Sequence, residues 1–481
     1  MNTSGTPADA ASTDPGIDPA LTARIRPVVE QLRTSFDQGL TRPLEARLDQ
    51  LAALRRGVER MRPEITAALA EDLGKSAAEA ETTEIGPVLH EIDHVRRNLA
   101  TWLRPRRVGL GLALTPGTAQ LHREPLGLVL VIAPWNYPVN LSLSPLIGAI
   151  AGGNTAILKP SEVAPATSAV LEGLVAEHLD PAWVQVIEGA VPETTALLAE
   201  RFDLIFYTGN GTVGRIVARA AAEHLTPTVL ELGGKSPVYI DETVDPATAA
   251  RRIVWGKFTN AGQTCVAPDY LMAPAEVIED LVPHLRRAVH EMYGADPHRS
   301  RDYGRIVNAR HHERLMGLFE GTTAVLGGPD SADADDLYIP PSLLQDVDWD
   351  SPVMQEEIFG PLLPLLPVRD SAEAVARIRA GEKPLTAYVF SEDENVQRQF
   401  VEETSSGSLA IGLTVAHLGA VTMPFGGVGE SGHGAYHGEH SLRVFTHEKP
   451  VVRKPLRPDT LRMVYPPVGA LKRTLLRRLL G

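Results

Sequence analysis

The sequence predicts an α/β protein built on open sheets of mostly parallel strands. Short β-rich runs alternate with helical stretches in two successive series, which is the rhythm of repeated βαβ units. The chain has 481 residues, of which 43% are hydrophobic and 22% charged, so it has enough apolar surface to bury a large core. At this length we expect about three domains, or two with insertions.

A polar tail and a helical region lie at the start of the chain. Residues 1–20 are small and polar, without the basic start and apolar stretch of a secretory signal, so we expect a disordered tail. From Leu21 to about Leu103 the pattern is helical, with apolar residues three or four positions apart, as at Leu48, Leu51 and Leu54. This spacing predicts amphipathic helices.

Both series of strands follow this region. In the first, helical stretches that begin near Ser142, Pro165, Glu193 and Thr212 separate the strands, which predicts an open parallel sheet. Its predicted strands are LGLVLVIA, NTAILKP, WVQVIEG, DLIFYTG and PTVLELGG. The second series begins after Ser236 and predicts a second α/β domain. Its predicted strands are SPVYI, YLMAP, TAVLG, LTAYVF and GSLAI.

Charge and composition exclude several classes of function. Lys and Arg total 46 against 60 Asp and Glu, a net charge of −14, so no nucleic acid partner is expected. The single cysteine allows no intramolecular disulfide, and we expect a cytoplasmic location. No apolar run approaches the ~20 residues of a membrane span. The C-terminal LKRTLLRRLLG is basic and amphipathic, which indicates a packing tail or, alternatively, weak peripheral contact with an anionic membrane.

Cys265 is a candidate nucleophile. It lies in the polar segment NAGQTC, although a lone cysteine is more often a small buried hydrophobe. A nucleophilic thiolate needs a lowered thiol pKa, and a thioester needs a base that activates the water releasing it. Glu231, at the end of the strand run PTVLEL, is the candidate base, because partial burial would raise its pKa towards neutrality. The alternative is an edge carboxylate in a turn.

A glycine-rich loop indicates a dinucleotide site. Residues 209–214 read GNGTVG between a predicted strand and a helix, the context of a phosphate-binding turn. The acid that binds the ribose is expected about 20 residues further on, so Glu231 competes for that role. We favour Glu162, which follows the strand NTAILKP and lies three residues after Lys159.

Three histidines near the C-terminus are candidate metal ligands. His433, His437 and His440 have the spacing of one helix face, which would suggest a metal triad if this segment were helical. The glycines of GHGAYHGEH favour a loop, and neither CxxC nor HExxH accompanies them, so no metal is expected. The sequence also contains no G-x-S-x-G, which leaves a serine hydrolase unsupported.

Seven motifs taken together resemble the NAD(P)-dependent aldehyde dehydrogenase superfamily. The resemblance runs from about Leu21 to the C-terminus, and the motifs occur in the order of the family. They are APWNYP, KPSE, YTGNGTVG, ELGGKSP, NAGQTC, EEIFGP and PFGGVGESG. CVAPDY, YGRIVNARHHERL, VMQEEIFGPLLPL and the late YPP resemble the class 3 branch, which includes fatty, aromatic and coniferyl-type aldehyde dehydrogenases.

The resemblance implies an aldehyde dehydrogenase-like architecture and a homodimer. An open parallel-sheet NAD(P)-binding domain would comprise residues 21–104 and 123–232, and an α/β catalytic domain residues 233–428. A small β oligomerisation element would comprise residues 105–122 and 429–481, with a hairpin near 106–122 and a strand near 443–453.

The resemblance also implies the role of each site residue. Cys265 would attack an aldehyde, Asn136 and the Cys265 N–H would hold the oxyanion, and Glu231 would activate the water that releases the carboxylic acid. The residues implied for the cofactor are Trp135, Lys159, Glu162, Gly209, Gly214, Glu357 and Phe359. Since Glu162 suits the free ribose hydroxyls of NAD, we expect NAD to be preferred, with NADP accepted where Lys159 compensates.

Departures from the class 3 pattern concern the substrate side. Gly412 and Leu413 stand where an Asn-Asp pair is common, and Glu430 and His433 are expected near the entrance of the active site. We expect a hydrophobic aliphatic or aromatic aldehyde as substrate. The alternatives are an acyl-CoA-forming dehydrogenase or reductase on the same fold, a cofactor-free thiol esterase, and a non-catalytic binding relative.

Overall fold

The predicted helical region begins slightly earlier than expected. The computed structural model describes residues 18–111 and 114–480, so residues 1–17 of the predicted tail lie outside the described residues. The first helix begins at Pro19, and the side chain of Asp18 accepts a hydrogen bond from the Ala20 N–H at 2.9 Å. This N-cap explains why the helix begins before Leu21.

Helices and strands are numbered along the chain. The α-helices are α1 (Pro19–Asp37), α2 (Leu44–Arg60), α3 (Arg62–Leu73), α4 (Ala77–Ala80), α5 (Gly86–Trp102), α6 (Asn140–Gly152), α7 (Pro165–His178), α8 (Val191–Leu198), α9 (Gly211–Glu223), α10 (Pro246–Phe258), α11 (Ala275–Tyr293), α12 (Ala309–Gly317), α13 (Pro352–Gln355), α14 (Ser371–Ala380), α15 (Glu394–Glu403), α16 (Gly438–Val444) and α17 (Ala470–Leu480). The strands are β1 (Arg106–Val108), β2 (Thr118–Pro125), β3 (Leu128–Ile132), β4 (Thr155–Lys159), β5 (Val184–Val186), β6 (Leu204–Gly209), β7 (Thr228–Leu232), β8 (Pro237–Ile240), β9 (Tyr270–Ala273), β10 (Thr323–Leu326), β11 (Ser342–Gln345), β12 (Leu362–Pro367), β13 (Thr386–Phe390), β14 (Ser408–Ile411), β15 (Gly432–His433) and β16 (Thr446–Arg453).

The first sheet has six strands in the order β15-β7-β6-β3-β4-β5. All pairs are parallel except β15–β7, which confirms the predicted open parallel sheet. Val129 and Val131 of β3 pack into a core with α2, α5, α6 and α7, while Leu128 and Leu130 pack into another with α1, α8 and α9. Because this central strand is covered on both faces, it reads as a continuous apolar run.

The connections from β3 and β6 diverge across this sheet. From β3 the chain proceeds to β4 on one side, and from β6 it proceeds to β7 on the other, while β3 and β6 are neighbours. Ligands of doubly wound sheets bind at such a switch point, outside the carboxyl ends of the strands. The segments that follow β3 and β6 therefore mark the expected site.

The second sheet has seven strands in the order β10-β11-β12-β9-β8-β13-β14. Its pairs are parallel apart from the antiparallel β10–β11 pair, which confirms the second α/β domain. Strands β11 and β12 were not among the predicted strands. The sequence of β12, LLPLLP, contains two prolines, which argue against an inner strand when only the sequence is considered.

A third sheet has three strands in the order β1-β2-β16. Strand β16 pairs antiparallel with β2 from Thr446↔Pro125 to Arg453↔Thr118. This confirms the hairpin and the C-terminal strand that the family resemblance implied. Within residues 18–111 and 114–480, every helix is too short or too polar to cross a bilayer.

Residues 432–445, which the resemblance placed in the C-terminal element, pack against the first sheet. Gly432 pairs with Glu231, and Leu442 and Phe445 are buried in the core of the first domain. The ring of Phe445 stacks on Phe206 with a centroid separation of 5.9 Å. This segment is therefore part of the first domain's packing.

We expect Phe445→Ala to lower the free energy of unfolding by about 3–5 kcal/mol, because it removes a fully buried ring and leaves a cavity. Urea unfolding followed by tryptophan fluorescence measures this change. Leu456→Ala is the control, since Leu456 is 90% exposed, and we expect less than about 0.5 kcal/mol. Equal stability of the two variants would contradict the packing described here.

Candidate active site

A cavity of about 590 Å³ lies at the switch point of the first sheet. Its walls come from both domains and include nine of the ten predicted site residues. These are Trp135, Asn136, Lys159, Glu162, Gly209, Glu231, Cys265, Glu357 and Phe359. The motifs that are far apart in sequence therefore meet around one space.

Cys265 follows a turn with an unusual backbone. Asn260, Ala261 and Gly262 have consecutive positive φ values of 53°, 50° and 75°. A Cβ at Gly262 would lie 2.2 Å from the Gly360 carbonyl oxygen, so only glycine fits there. The turn brings Cys265, which is partly exposed, to the cavity wall.

Burial controls the ionisation of the thiol and of two nearby carboxyl groups. Burial, together with the charges of Glu357 and Glu231, raises the pKa of Cys265 to about 12. Burial also raises the pKa of Glu357 to about 8 and that of Glu231 well above its ordinary value. The lowered thiol pKa that a nucleophile needs is therefore not present in this state, whereas the raised pKa expected for Glu231 is.

Glu231 projects from β7, where its backbone is paired on both sides, with Thr208 of β6 and Gly432 of β15. Neither carboxyl oxygen has a hydrogen-bond partner among the described residues, although the side chain is buried. Buried polar atoms without partners are rare in native proteins and indicate a functional role or a bound solvent molecule. This environment suits a general base more than a ribose ligand.

Asn136 lies in the turn between β3 and α6. Its side-chain Nδ2 donates to the backbone carbonyl oxygen of Gln263 at 3.0 Å. Its backbone carbonyl oxygen accepts from Asn260 Nδ2 at 2.9 Å. A primary amide carries two N–H donors, so one remains for a ligand in the cavity. The amide is thus fixed beside the segment that leads to Cys265.

The cavity end near α9 has the features of a nucleotide site. Gly209 lines the wall, and a Cβ there would lie 2.2 Å from the Tyr207 hydroxyl. Asn210 caps α9 by accepting from the Val213 N–H at 3.0 Å, so a helix N-terminus faces the same space. Lys159 Nζ lies 2.9 Å from a Glu162 carboxylate oxygen, and Glu162 is exposed. These groups fit a dinucleotide.

Aromatic rings and a carboxyl group form the part of the wall nearer Cys265. The Trp135 ring lies 5.4 Å from Phe359, edge to face, and 5.2 Å from His311. A Cβ at Gly233 would lie 2.0 Å from Glu357 Oε2, so this glycine makes room for the carboxyl group. The implied cofactor residues Trp135, Glu357 and Phe359 are therefore close together.

Gly214 is the one predicted site residue that is not at the cavity wall. It lies on the buried face of α9, and a Cβ there would lie 2.8 Å from Leu232 Cδ2. The structure thus corrects the predicted pyrophosphate contact, because this glycine permits close packing of the helix on β7.

The two residues expected near the entrance do not line the cavity itself. Glu430 forms an ion pair with Arg215 on α9, and His433 Nε2 lies 2.8 Å from the Thr228 hydroxyl at the edge of the first sheet. The antiparallel β15 holds this segment against β7. Their position near the entrance stays a prediction.

Tyr436 and His311 both line the cavity, although neither was predicted as a site residue. Tyr436 is buried between Phe206 and Phe425, and burial lowers the pKa of His311 to about 4. Both residues lie in quoted segments, GHGAYHGEH and YGRIVNARHHERL, but nothing local indicates that they face the site.

Within the described ranges, no group of three or more His, Cys, Asp or Glu side chains is arranged to hold a metal.

A doubly wound sheet whose crevice fits a dinucleotide is typical of a nicotinamide-dependent oxidoreductase. The profile of the aldehyde dehydrogenase family matches residues 18–451, and the chain belongs to this family.

Curated relatives cover almost all of the chain. It is 45% identical over 450 residues to the dog "Aldehyde dehydrogenase, dimeric NADP-preferring", covering 92% of this chain and 98% of that protein. It is 47% identical over 440 residues to "Aldehyde dehydrogenase family 3 member A2" of Macaca fascicularis, covering 91% and 90%. These similarities confirm the class 3 resemblance.

A solved structure gives the same result for the fold. The substrate-bound state of Staphylococcus aureus AldH superposes with a TM-score of 0.92 at 43% identity, covering 95% of this chain and 99% of that one. The fold prediction is confirmed. The chain is an NAD(P)-dependent aldehyde dehydrogenase that oxidises an aldehyde to the carboxylic acid.

The raised thiol pKa predicts a pH profile. Without cofactor, we expect the rate of Cys265 alkylation by iodoacetamide to rise about tenfold per pH unit from pH 7 to 10, because the thiolate is the reacting form. Mass spectrometry reports the product at the single cysteine. The urea-unfolded protein is the control and should level off near the ordinary thiol pKa of about 8.5. A plateau below pH 9 in the folded protein would contradict the raised pKa.

Proposed function

We propose that the enzyme oxidises hydrophobic aliphatic or aromatic aldehydes and that Cys265 is the nucleophile. The observation that carries this proposal is the meeting of a thiol, a fixed amide and an unpartnered buried carboxyl group around one cavity. Apolar and aromatic side chains line the same cavity, among them Leu385, Phe425 and Tyr436. Such walls favour a hydrophobic substrate over a charged one.

The first step forms a bond between the Cys265 sulfur and the aldehyde carbon. The thiol releases its proton to solvent water, and the carbonyl oxygen becomes an oxyanion, giving a thiohemiacetal. The free N–H of Asn136 and the Cys265 backbone N–H stabilise this charge where it develops, and loss of one such donor costs about 3 kcal/mol. NAD(P), when bound, supplies the acceptor for the hydride of the thiohemiacetal carbon and a positive ring that favours the thiolate.

The second step releases the acid from the resulting thioester. Glu231 accepts a proton from water, and the oxygen of that water attacks the thioester carbon and displaces the Cys265 sulfur. The raised pKa of Glu231 suits this role, because a stronger base removes the proton more readily near neutral pH. The carboxylic acid leaves, and Glu231 returns its proton to the displaced thiolate, which restores the thiol and the carboxylate.

The residues proposed to hold NAD(P) divide into two groups. Gly209 and the N-terminus of α9 lie where a pyrophosphate would meet backbone N–H groups, and Lys159 and Glu162 lie where the adenosine ribose would bind. Trp135, Glu357 and Phe359 form the nicotinamide side. The first group lies at the end of the cavity near α9, and the second lies at the end nearer Cys265.

Glu231→Gln separates the proposed route from an acyl-CoA-forming one. We expect this variant to produce NADH in a burst of about one equivalent per active site and then to turn over at least about 100-fold more slowly, because hydrolysis of the thioester lacks its base. Stopped-flow absorbance of NADH measures both phases. Cys265→Ala is the control and should produce no burst.

Two outcomes would contradict this assignment. Steady turnover of Glu231→Gln at the wild-type rate would exclude Glu231 as the base. Acceleration of the wild-type enzyme by CoA, with acyl-CoA as the product, would favour the acyl-transfer alternative over hydrolysis.

The dinucleotide preference depends on the charge of Glu162. We expect the wild-type enzyme to have a higher kcat/KM with NAD than with NADP, because the exposed carboxylate repels a 2′-phosphate. Glu162→Gln should raise the NADP/NAD ratio of kcat/KM about tenfold, equivalent to about 1.4 kcal/mol. Glu223→Gln, at the exposed end of α9, is the control. A tenfold preference of the wild-type enzyme for NADP would contradict the proposal. The dog relative is named "NADP-preferring", so the measurement also shows whether the two enzymes differ in this respect.

Assembly and location are also proposals. A homodimer is supported by the word "dimeric" in the name of the dog relative and by the exposed edge of β16. A cytoplasmic location rests on the single cysteine. Weak contact of α17 with an anionic membrane is supported by its basic sequence and by Leu471, which is 80% exposed.

A further inference from the structure

A fully buried ion pair lies next to the turn that carries Asn136. Lys75 follows α3 and Glu84 lies in a π-helical turn, and both side chains are 0% exposed, with 2.6 Å between Nζ and Oε1. Neither residue lines the cavity, and neither belongs to a quoted motif. Burying two opposite charges gains little stability compared with apolar side chains of the same size, so their presence calls for another explanation.

Both members of the pair hold the segment between β3 and α6. Lys75 Nζ donates to the Asn136 carbonyl oxygen at 2.8 Å and lies 4.0 Å from the centroid of the Tyr137 ring. Glu84 Oε2 accepts from the backbone N–H groups of Val139 at 3.1 Å and Asn140 at 2.9 Å. The pair therefore fixes the turn on both sides of Tyr137 through charge-assisted hydrogen bonds.

The backbone carbonyl oxygen of Asn136 also connects the ion pair to the segment that leads to Cys265. The Asn136 carbonyl oxygen accepts from both Lys75 Nζ and Asn260 Nδ2, and Asn260 has a left-handed backbone. Asn136 Nδ2 in turn donates to the Gln263 carbonyl oxygen. The position of the Asn136 amide relative to Cys265 thus depends on a network that begins at Lys75.

The ion pair compensates for the burial of its members. Burial raises the pKa of Glu84, and the charge and hydrogen bond of Lys75 oppose this effect. Removal of one partner alone would leave an unpaired buried charge, which typically costs about 3–5 kcal/mol. A test must therefore neutralise both residues together.

We propose that Lys75 and Glu84 are positioning residues that hold the Asn136 amide where the oxyanion develops. This inference rests on the proposed role of Asn136. The pair acts through the main chain of the turn and touches neither substrate nor cofactor. A displacement of about 1 Å at the amide is enough to lower the rate about 100-fold.

A double-mutant cycle between the pair and Asn136 tests the inference. The readout is kcat/KM for decanal at saturating NAD. We expect Lys75→Met/Glu84→Gln to lower it at least about tenfold and Asn136→Ala to lower it about 100-fold. Adding the pair substitution to Asn136→Ala should lower it by no more than about twofold further, because the pair then has no amide to position. The dissociation constant of NADH should stay within about twofold throughout.

Arg47→Met is the matched control. Arg47 is another buried cation of the first domain, and it donates to the carbonyl oxygens of Thr41 at 3.0 Å, Arg42 at 3.0 Å and Ala151 at 3.1 Å. We expect this variant to lower the melting temperature without changing kcat/KM. Loss of stability and loss of positioning are thereby separated.

Lys75→Arg keeps the charge and provides the test if the neutral pair does not fold. Its planar guanidinium cannot replace the single Nζ that contacts both Glu84 and the backbone carbonyl oxygen of Asn136, so we expect kcat/KM to fall by at least fivefold. When Lys75→Arg is combined with Asn136→Ala, we expect no such further fall in kcat/KM. Wild-type kcat/KM in the folded pair variant, or losses that multiply in the combined variant, would overturn the inference. Wild-type kcat/KM in Asn136→Ala alone would instead overturn the proposed function of Asn136.

Discussion

The burial of three ionisable groups around one cavity is the constraint on which the rest of the site depends. Cys265, Glu231 and Glu357 come from three separate segments of the chain, and burial raises the pKa of each. Burial disfavours the charged form of each of these groups relative to water, which opposes ionisation of the thiol and makes each carboxylate a stronger base.

The residues visible in the sequence are those whose chemistry is encoded locally. Cys265 and Glu231 follow recognisable strands and turns, and most strands were predicted because their apolar runs are bounded by polar or glycine-rich segments. Gly214 was misassigned because a glycine that contacts phosphate and one that permits close helix packing have the same local signature. Strand β12 was not predicted because its two prolines are rare in inner strands, although the strand is buried.

Long-range pairing was beyond the sequence pattern. The two-residue strand β15 crosses to Glu231, about two hundred positions earlier in the chain, and two residues provide no periodicity to detect. Lys75 and Glu84 read as ordinary surface charges of an amphipathic helical region, since charged residues are rarely buried. Their burial becomes apparent only when the turn after β3 is placed beside them. The sequence pattern thus revealed the chemical groups but not the residues that hold them.

Some of the strained backbone lies where the two domains meet. Asn260 and Ala261 before Cys265 and Phe359 in the cavity wall have positive φ values without being glycine, as do Leu225, Leu337, Asp346 and His437 elsewhere. Such conformations cost about 1–3 kcal/mol each and persist only where the surroundings hold them. Here the holding contacts cross the domain boundary, since Asn260 of the second domain donates to the Asn136 carbonyl of the first, and Glu357 lies against Gly233. The contacts between the domains therefore fix the segment that leads to the thiol and the turn that carries the Asn136 amide relative to each other.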